Sequence, residues 1–292
     1  MRIDVHQHLW TQPLLAALAQ RTTPPYARDG TIHTPGETPV TIDLDGERPQ
    51  ARRALLARDG VDRAIIAISS PIGIEALPRA HAQPLIDAHL DGVLAAGEPF
   101  MAWGPIALDG MAAGDVDDVC ARGVVGISMP AGALQSASAL DAAMAVLERA
   151  CARTVPLFVH PGPGIADVAP DPGPGEPTWW PAMTRYVSQM QAAWLAIETF
   201  ARPALPSLRV VYAMLAGCAP LLGERLAARS GTEQPLSPLS FYDTSSFGAL
   251  AIDAMAAAVG TLQLVHGTDR PVVDPARHGR ERELAEHGAW LV

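Results

Sequence analysis

The chain contains no lysine and no asparagine. Without lysine there can be no Schiff base, no phosphate-loop lysine and no carboxylated lysine bridging two metal ions. Cysteine is scarce: Cys120, Cys151 and Cys218 are odd in number, far apart and never in a C-x-x-C pair. That pattern argues against a disulfide framework and a thiolate zinc site, and the three are expected to be buried small hydrophobes. Basic residues are outnumbered 21 to 31, giving a formal net charge of −10, and they occur singly or in pairs such as Arg52-Arg53. No positive stripe exists to neutralise a row of phosphates, so nucleic acid is not expected as a partner. No stretch approaches the roughly 18 uninterrupted apolar residues of a membrane-spanning helix. Met1-Arg2-Ile3-Asp4-Val5-His6 places an acid and a histidine where a signal peptide needs an apolar run. The expectation is a soluble, cytoplasmic protein.

Of the 292 residues, 49% are apolar and 18% charged, the composition of a globular protein with a sizeable core. Short β-branched runs alternate with helical periodicity and mark eight candidate strands, at about 2–8, 62–69, 99–106, 123–129, 155–160, 208–214, 239–245 and 262–268. The clearest helix starts at Ser138 as N-cap, with Asp141 in its first turn and Leu140, Met144, Leu147 and Cys151 on one face. Repeated strand and helix units imply a parallel sheet, and eight of them with no second composition block imply closure into a single-domain (β/α)8 barrel of the TIM type spanning 1–292.

Two connections are unusually long. The first, 10–47, carries Thr31-Ile32-His33-Thr34 and Val40-Thr41-Ile42-Asp43 around Pro35-Gly36, a pattern for a small hairpin that follows the first strand directly. The second, 161–181, is dense in proline and glycine and ends in Trp179-Trp180. Loops after the strands gather around the active site of such barrels, so both are placed to shape a pocket.

His6 and His8 stand two apart in a strand, so their side chains leave on the same face and can hold one ion together. His160 closes the run Val155-Pro156-Leu157-Phe158-Val159 and precedes Pro161-Gly162, at a strand's C-terminal end. Asp269 ends Leu262-Gln263-Leu264-Val265-His266-Gly267-Thr268 in the same way, although a turn aspartate competes as an explanation. Four nitrogen and oxygen donors at the ends of the first, fifth and eighth strands suit zinc or another borderline divalent ion.

The segments Ile3-Asp4-Val5-His6-Gln7-His8, Leu157-Phe158-Val159-His160-Pro161, Phe241-Tyr242-Asp243-Thr244-Ser245-Ser246 and Gly267-Thr268-Asp269-Arg270-Pro271 span the chain in order. By these the chain resembles the amidohydrolase superfamily, in the amidohydrolase-related branch that includes aminocarboxymuconate semialdehyde decarboxylase. The resemblance implies a barrel with one metal on His6, His8, His160 and Asp269, the acid doubling as proton acceptor. The position that bears a bridging lysine in binuclear relatives falls near Ser128. The branch normally carries a histidine at the end of the sixth strand, and here Met214 takes that place. Methionine cannot shuttle a proton.

Three solutions follow from that substitution: Asp269 alone handles the proton, His266 or His33 substitutes, or the chemistry has changed. His266 is read foremost as a satisfied core group. His81, His89, His278 and His287 are read as surface residues. Tyr212, Trp103, Trp179 and Trp180 are candidates for stacking on a planar substrate, and Arg270 and Arg185 for pairing with a carboxylate. The first functional reading is hydrolysis of a small amide, lactone or ester by a zinc-activated water. The alternative is non-oxidative decarboxylation of a small unsaturated or aromatic acid, and a third is a metal-stabilised binding protein without catalysis. The expected partner is a small molecule. Association into a homo-oligomer is compatible with such a barrel, but no sequence feature fixes an interface.

Overall fold

The computed structural model describes residues 1–165, 167, 173, 175–233, 236–275 and 277–292. Among the described residues eleven strands are formed. They are β1 (Ile3–Gln7), β2 (Tyr26–Arg28), β3 (Thr31–His33), β4 (Val40–Thr41), β5 (Arg63–Ile66), β6 (Phe100–Pro105), β7 (Gly126–Pro130), β8 (Leu157–His160), β9 (Val210–Tyr212), β10 (Ser240–Asp243) and β11 (Leu264–Val265). Eight of them form one sheet in the order β1-β5-β6-β7-β8-β9-β10-β11, every pair parallel. These are the eight strands expected from the sequence, each shorter than the apolar run that announced it.

The sheet closes on itself through backbone bonds from β1 to the segment after β11. Val5 N donates to His266 O at 2.9 Å, Asp269 N to His6 O at 2.9 Å and His8 N to Arg270 O at 2.7 Å. Helices alternate with the strands, giving the (β/α)8 barrel. Period-two alternation along β1 sends Ile3 and Val5 outward, where Gly288 packs against both, and sends Asp4, His6 and His8 inward. Beneath the mouth the lumen is filled by Trp103 from β6 stacked on Phe158 from β8, with centroids 5.1 Å apart, and the Trp103 indole N–H donates to Val5 O at 2.9 Å. The interior is therefore a packed core with one polar end.

The 10–47 connection holds more than a hairpin. It contains the helix Gln12–Ala19, and β2 joins β3 and β4 in a three-stranded antiparallel sheet. The pairing Thr31↔Thr41 and Ile32↔Val40 matches the expected hairpin. β2 was missed because Tyr26-Ala27-Arg28 is too short to show alternation. In the other connection, positions 166, 168–172 and 174 lie outside the described residues, and Trp180–Met183 forms a short helix. The helix expected from Ser138 runs Ala137–Ala152 and is capped by Ser136, whose hydroxyl accepts from Ala139 N at 3.2 Å. Its buried face includes Leu140, Val146 and Leu147, while Met144 and Cys151 are only half-buried. All three cysteines are half-buried, not fully buried as expected.

After β9 the chain makes an unusual turn. Met214, Leu215, Ala216, Gly217 and Cys218 all have positive φ, between 51° and 60°. This is one turn of left-handed helix, a conformation that costs a non-glycine residue roughly 1–2 kcal/mol. Gln191 Nε2 donating to Gly217 O at 2.8 Å helps to hold it, as does Asp243 Oδ1 accepting from Met214 N at 3.1 Å.

Candidate metal centre

His6, His8, His160 and Asp269 meet at the C-terminal mouth of the barrel, each offering one ligand atom, all within 4.8 Å of one another. The imidazoles stand nearly perpendicular, with centroids 4.8–5.1 Å apart. Each has its Nδ1 engaged. His6 Nδ1 lies 2.8 Å from Asp243 Oδ2, His8 Nδ1 2.9 Å from Ala67 O, and His160 Nδ1 2.8 Å from Pro161 O. These acceptors fix the tautomers with hydrogen on Nδ1, so the Nε2 lone pairs face the common centre. His6 Nε2 and His8 Nε2 are 3.2 Å apart, and Asp269 Oδ1 is 3.4 Å and 3.0 Å from them. Two nitrogens bound tetrahedrally to one zinc at 2.0–2.1 Å would be separated by roughly 3.3 Å.

Electrostatics favour the same ligand. Burial opposes charge on His6, yet Asp243 and Asp269 outweigh it and lift its pKa to about 9. His160 is driven well below the usual imidazole range by burial, then by His6 and His8. Although burial works against it, His6 and the Ser245 hydrogen bonds hold Asp243 below the usual carboxylate range. Two carboxylates thus face an interior whose charge a proton on His6 balances only in part. A divalent cation fits this donor set in charge, geometry and tautomer.

Asp269 is itself held in the left-handed region, at φ 60°, where its amide donates to His6 O and its carbonyl accepts from Val272 N at 2.9 Å. Such strain in a non-glycine residue is a common mark of a functional position. Around the cluster opens a cavity of about 540 Å3, walled by His8, His160, Met214 and Asp269 below and by the β3–β4 hairpin above.

The other sequence candidates divide. Arg270 lines this cavity, with Nη2 3.2 Å from Asp59 Oδ2 and Nη1 3.0 Å from Asp274 Oδ1. Trp103 is a correction: fully buried, it lies under the cluster and cannot stack on a substrate. Tyr212 is another, because its hydroxyl points to the outer side of the sheet and donates to Glu198 Oε1 at 2.8 Å. Trp179 and Trp180 are 57% and 43% exposed and do not wall the cavity. His266 is buried but, against the expectation of a satisfied core group, its Nδ1 has no partner, and it lines a separate polar crevice with Arg2 and Glu281. His33 stacks on Tyr26 at 4.4 Å, and Arg185 donates to Glu37 Oε1 at 2.5 Å beside the cavity. Ser128 is buried in β7. His81 is exposed and His278 half-buried, but His89 and His287 are buried, against expectation. His287 Nδ1 meets Leu264 O at 2.9 Å, while burial, then His8 and Arg122, lower His89 to about 3.

Several site residues escaped the sequence reading. Asp243, which orients His6, sits inside a quoted motif at a strand end, and that was its signal. Arg52, noted in the sequence only as half of the basic pair Arg52-Arg53, is buried and donates to Glu47 Oε1 and Gln7 Oε1 at 2.7 Å each. Asp4 accepts from His6 N at 3.1 Å and Thr268 Oγ1 at 2.6 Å, tying β1 to the Asp269 segment.

No protein-family profile matches the chain, and no curated protein matches it by sequence. Solved structures do. A 5-carboxyvanillate decarboxylase from Sphingomonas paucimobilis is similar at a TM-score of 0.71 and 17% identity, over 99% of this chain and 98% of that one. The IDCase of Metarhizium anisopliae gives 0.71 and 16% over 100% and 92%. A dihydroxybenzoic acid decarboxylase from Polaromonas sp. JS666, solved with bound manganese and 2-nitroresorcinol, gives 0.65 and 16% over 99% and 96%. At these identities the likeness establishes a shared fold, in keeping with the motif resemblance.

The comparison also corrects the hydrolytic reading. The activities named among the similar structures are decarboxylations, of 5-carboxyvanillate and dihydroxybenzoates, while two further ones are named only as amidohydrolases; none is named for an amide, lactone or ester substrate. Met214 removes one proton donor from the site but leaves the Asp269 carboxylate in place beside the imidazoles. No described helix is long and apolar enough to cross a membrane.

Proposed function

We propose that this chain is a metal-dependent, non-oxidative decarboxylase of a small aromatic or unsaturated acid. The observation that carries the reading is the convergence of three correctly oriented Nε2 atoms and one carboxylate at the open end of a barrel shared with decarboxylases. His6, His8, His160 and Asp269 are its metal ligands, and manganese or zinc suits three imidazoles and a carboxylate. When bound, the ion supplies positive charge for the substrate's carboxylate and withdraws electrons from the carbon skeleton.

The chain's own residues do the rest. Asp243, Ala67 O and Pro161 O each hold a proton on Nδ1, so that Nε2 is the nitrogen each imidazole turns to the ion. The β3–β4 hairpin covers the mouth and limits water around the reacting carbon. Asp269 takes up a proton from solvent before the step and gives it to that carbon, returning to its carboxylate form. The electron pair of the breaking C–C bond forms the new C–H bond, and the carboxylate leaves as carbon dioxide. Met214 cannot share this duty, which leaves Asp269 as the proton-handling residue.

The test is elemental analysis and turnover of the protein reconstituted with manganese or zinc, beside His160→Ala and Asp269→Ala. About one ion per chain and carbon dioxide release from 2,6-dihydroxybenzoate are expected, with metal lost and rates at least about 1000-fold lower in both variants. A folded protein that binds neither ion would overturn the reading. Metal bound without turnover on any aromatic or unsaturated acid would leave a metal-stabilised binding protein.

A further inference from the structure

The cavity at the metal centre is bordered by arginines whose Nη groups are paired with carboxylates, while the buried Nε–H of Arg52 and of Arg270 has no partner. Arg52 is buried between Glu47 and Gln7, and the other Glu47 oxygen accepts from Trp10 N at 2.8 Å. Arg270 is paired with Asp59 and Asp274. The Asp274 pair is exposed at the rim and yields at little cost, but the Asp59 pair lies inside it. Arg185 stands where this cavity adjoins a second one of about 480 Å3, and both it and the Tyr186 hydroxyl donate to Glu37 Oε1.

Acids are in surplus. Among the described residues Glu37, Asp43, Glu47, Asp269 and Asp274 line the cavity, opposed by Arg52 and Arg270. The rest of the wall is largely apolar, including Trp10, Ile32, Val40, Ile42, Ile72 and Val272. Met214 adds a thioether beside the ligands.

From this we infer that the cavity takes acids with a single carboxylate on an otherwise uncharged, apolar body and rejects those carrying a second. The inference rests on the decarboxylase reading for its chemistry. One carboxylate has a counter-charge in the bound ion. A second, on the far side of the ring, would leave water for a wall whose described arginines are each already paired with a carboxylate and which presents Glu37 and Asp43 instead. Its hydration is lost without compensation, and like charges face each other.

The experiment uses the manganese-loaded protein with a matched pair, 4-methyl-2-hydroxybenzoate and 2-hydroxyterephthalate. Affinity is read by calorimetry and turnover by carbon dioxide release. The monoacid is expected to bind at least about 100-fold tighter. Glu37→Gln, which strips the carboxylate from Arg185, is expected to narrow that preference at least about tenfold. Equal affinities, a tighter diacid or no binding of either acid would overturn the inference. Discrimination in binding with no carbon dioxide from either acid or from any other aromatic or unsaturated acid would uphold it and defeat the decarboxylase reading. Equal turnover of both acids would do the reverse.

Discussion

Two buried polar networks sit on opposite faces of the same sheet, and they are built to opposite ends. Outside, Glu198 in the π-helical stretch Ile197–Ala201 accepts from Tyr212 at 2.8 Å, from Ser240 at 2.5 Å and from Arg202 at 3.1 Å and 3.2 Å. Both carboxylate oxygens are used and a cation is included. Inside, the Nδ1 atoms of His6, His8 and His160 are satisfied, but their Nε2 atoms and Asp269 converge on one point. A closed network holds strand to helix, whereas a network left open toward a cavity is a binding site. Buried charge alone does not tell them apart.

The difference can be broken at either end. The largest effect is expected from Glu198→Ala, which strands Arg202, Tyr212 and Ser240: a loss of about 3–5 kcal/mol in urea unfolding, with metal content per folded chain unchanged. Metal loss from that variant would erase the distinction.

Glu75 lies between the two cases, since Oε1 accepts from Ser70 at 2.5 Å while Oε2 has no partner. Burial raises its pKa to about 7, so the folded state favours the protonated acid. Stability from this group is complete below the ordinary value of 4.5 and is lost as pH rises through about 7. Glu75→Gln, neutral throughout, is expected to be more stable than the parent at pH 8, by at most about 3 kcal/mol, and to match it at pH 4. Thermal melts at the two pH values check this, and equal melts at pH 8 would refute it.

Asp243→Asn sharpens the comparison from inside. It keeps the shape but removes the acceptor that holds the His6 tautomer, so metal affinity should fall about 10- to 100-fold while folding is nearly retained. Competition with a chelator measures this. The smallest effect belongs to an ordinary cap: Ser136→Ala should cost about 1 kcal/mol in thermal or urea unfolding and leave metal affinity alone.

The fold was legible because barrel strands are buried on both faces and read as apolar runs, as in Ala64-Ile65-Ile66-Ala67. The four converging groups were legible because three end or follow such runs and His6 and His8 share strand parity. What escaped was long-range. Nothing local in Arg52 says that it is buried against Glu47, and nothing in Tyr212 says which side of β9 its hydroxyl will face. The misreading of Trp103 has the same origin: an aromatic at a strand is either wall or filling, and the partner that decides, Phe158, is 55 residues away.

The left-handed turn after β9 inverts a familiar ranking. Elsewhere in a protein, glycine is the residue that loosens the chain and alanine the one that firms it. Between Met214 and Cys218 every residue except Gly217 carries a side chain in a mirror-image conformation. Leu215 and Ala216 are fully buried, so the side chains are kept for filling while the backbone bears the torsion. A library of variants across this stretch would therefore be read with the opposite sign. At Ala216, where least packing is lost, glycine becomes the firmer choice, and the segment is a reserve of stability that can be drawn on without altering any of the four converging groups.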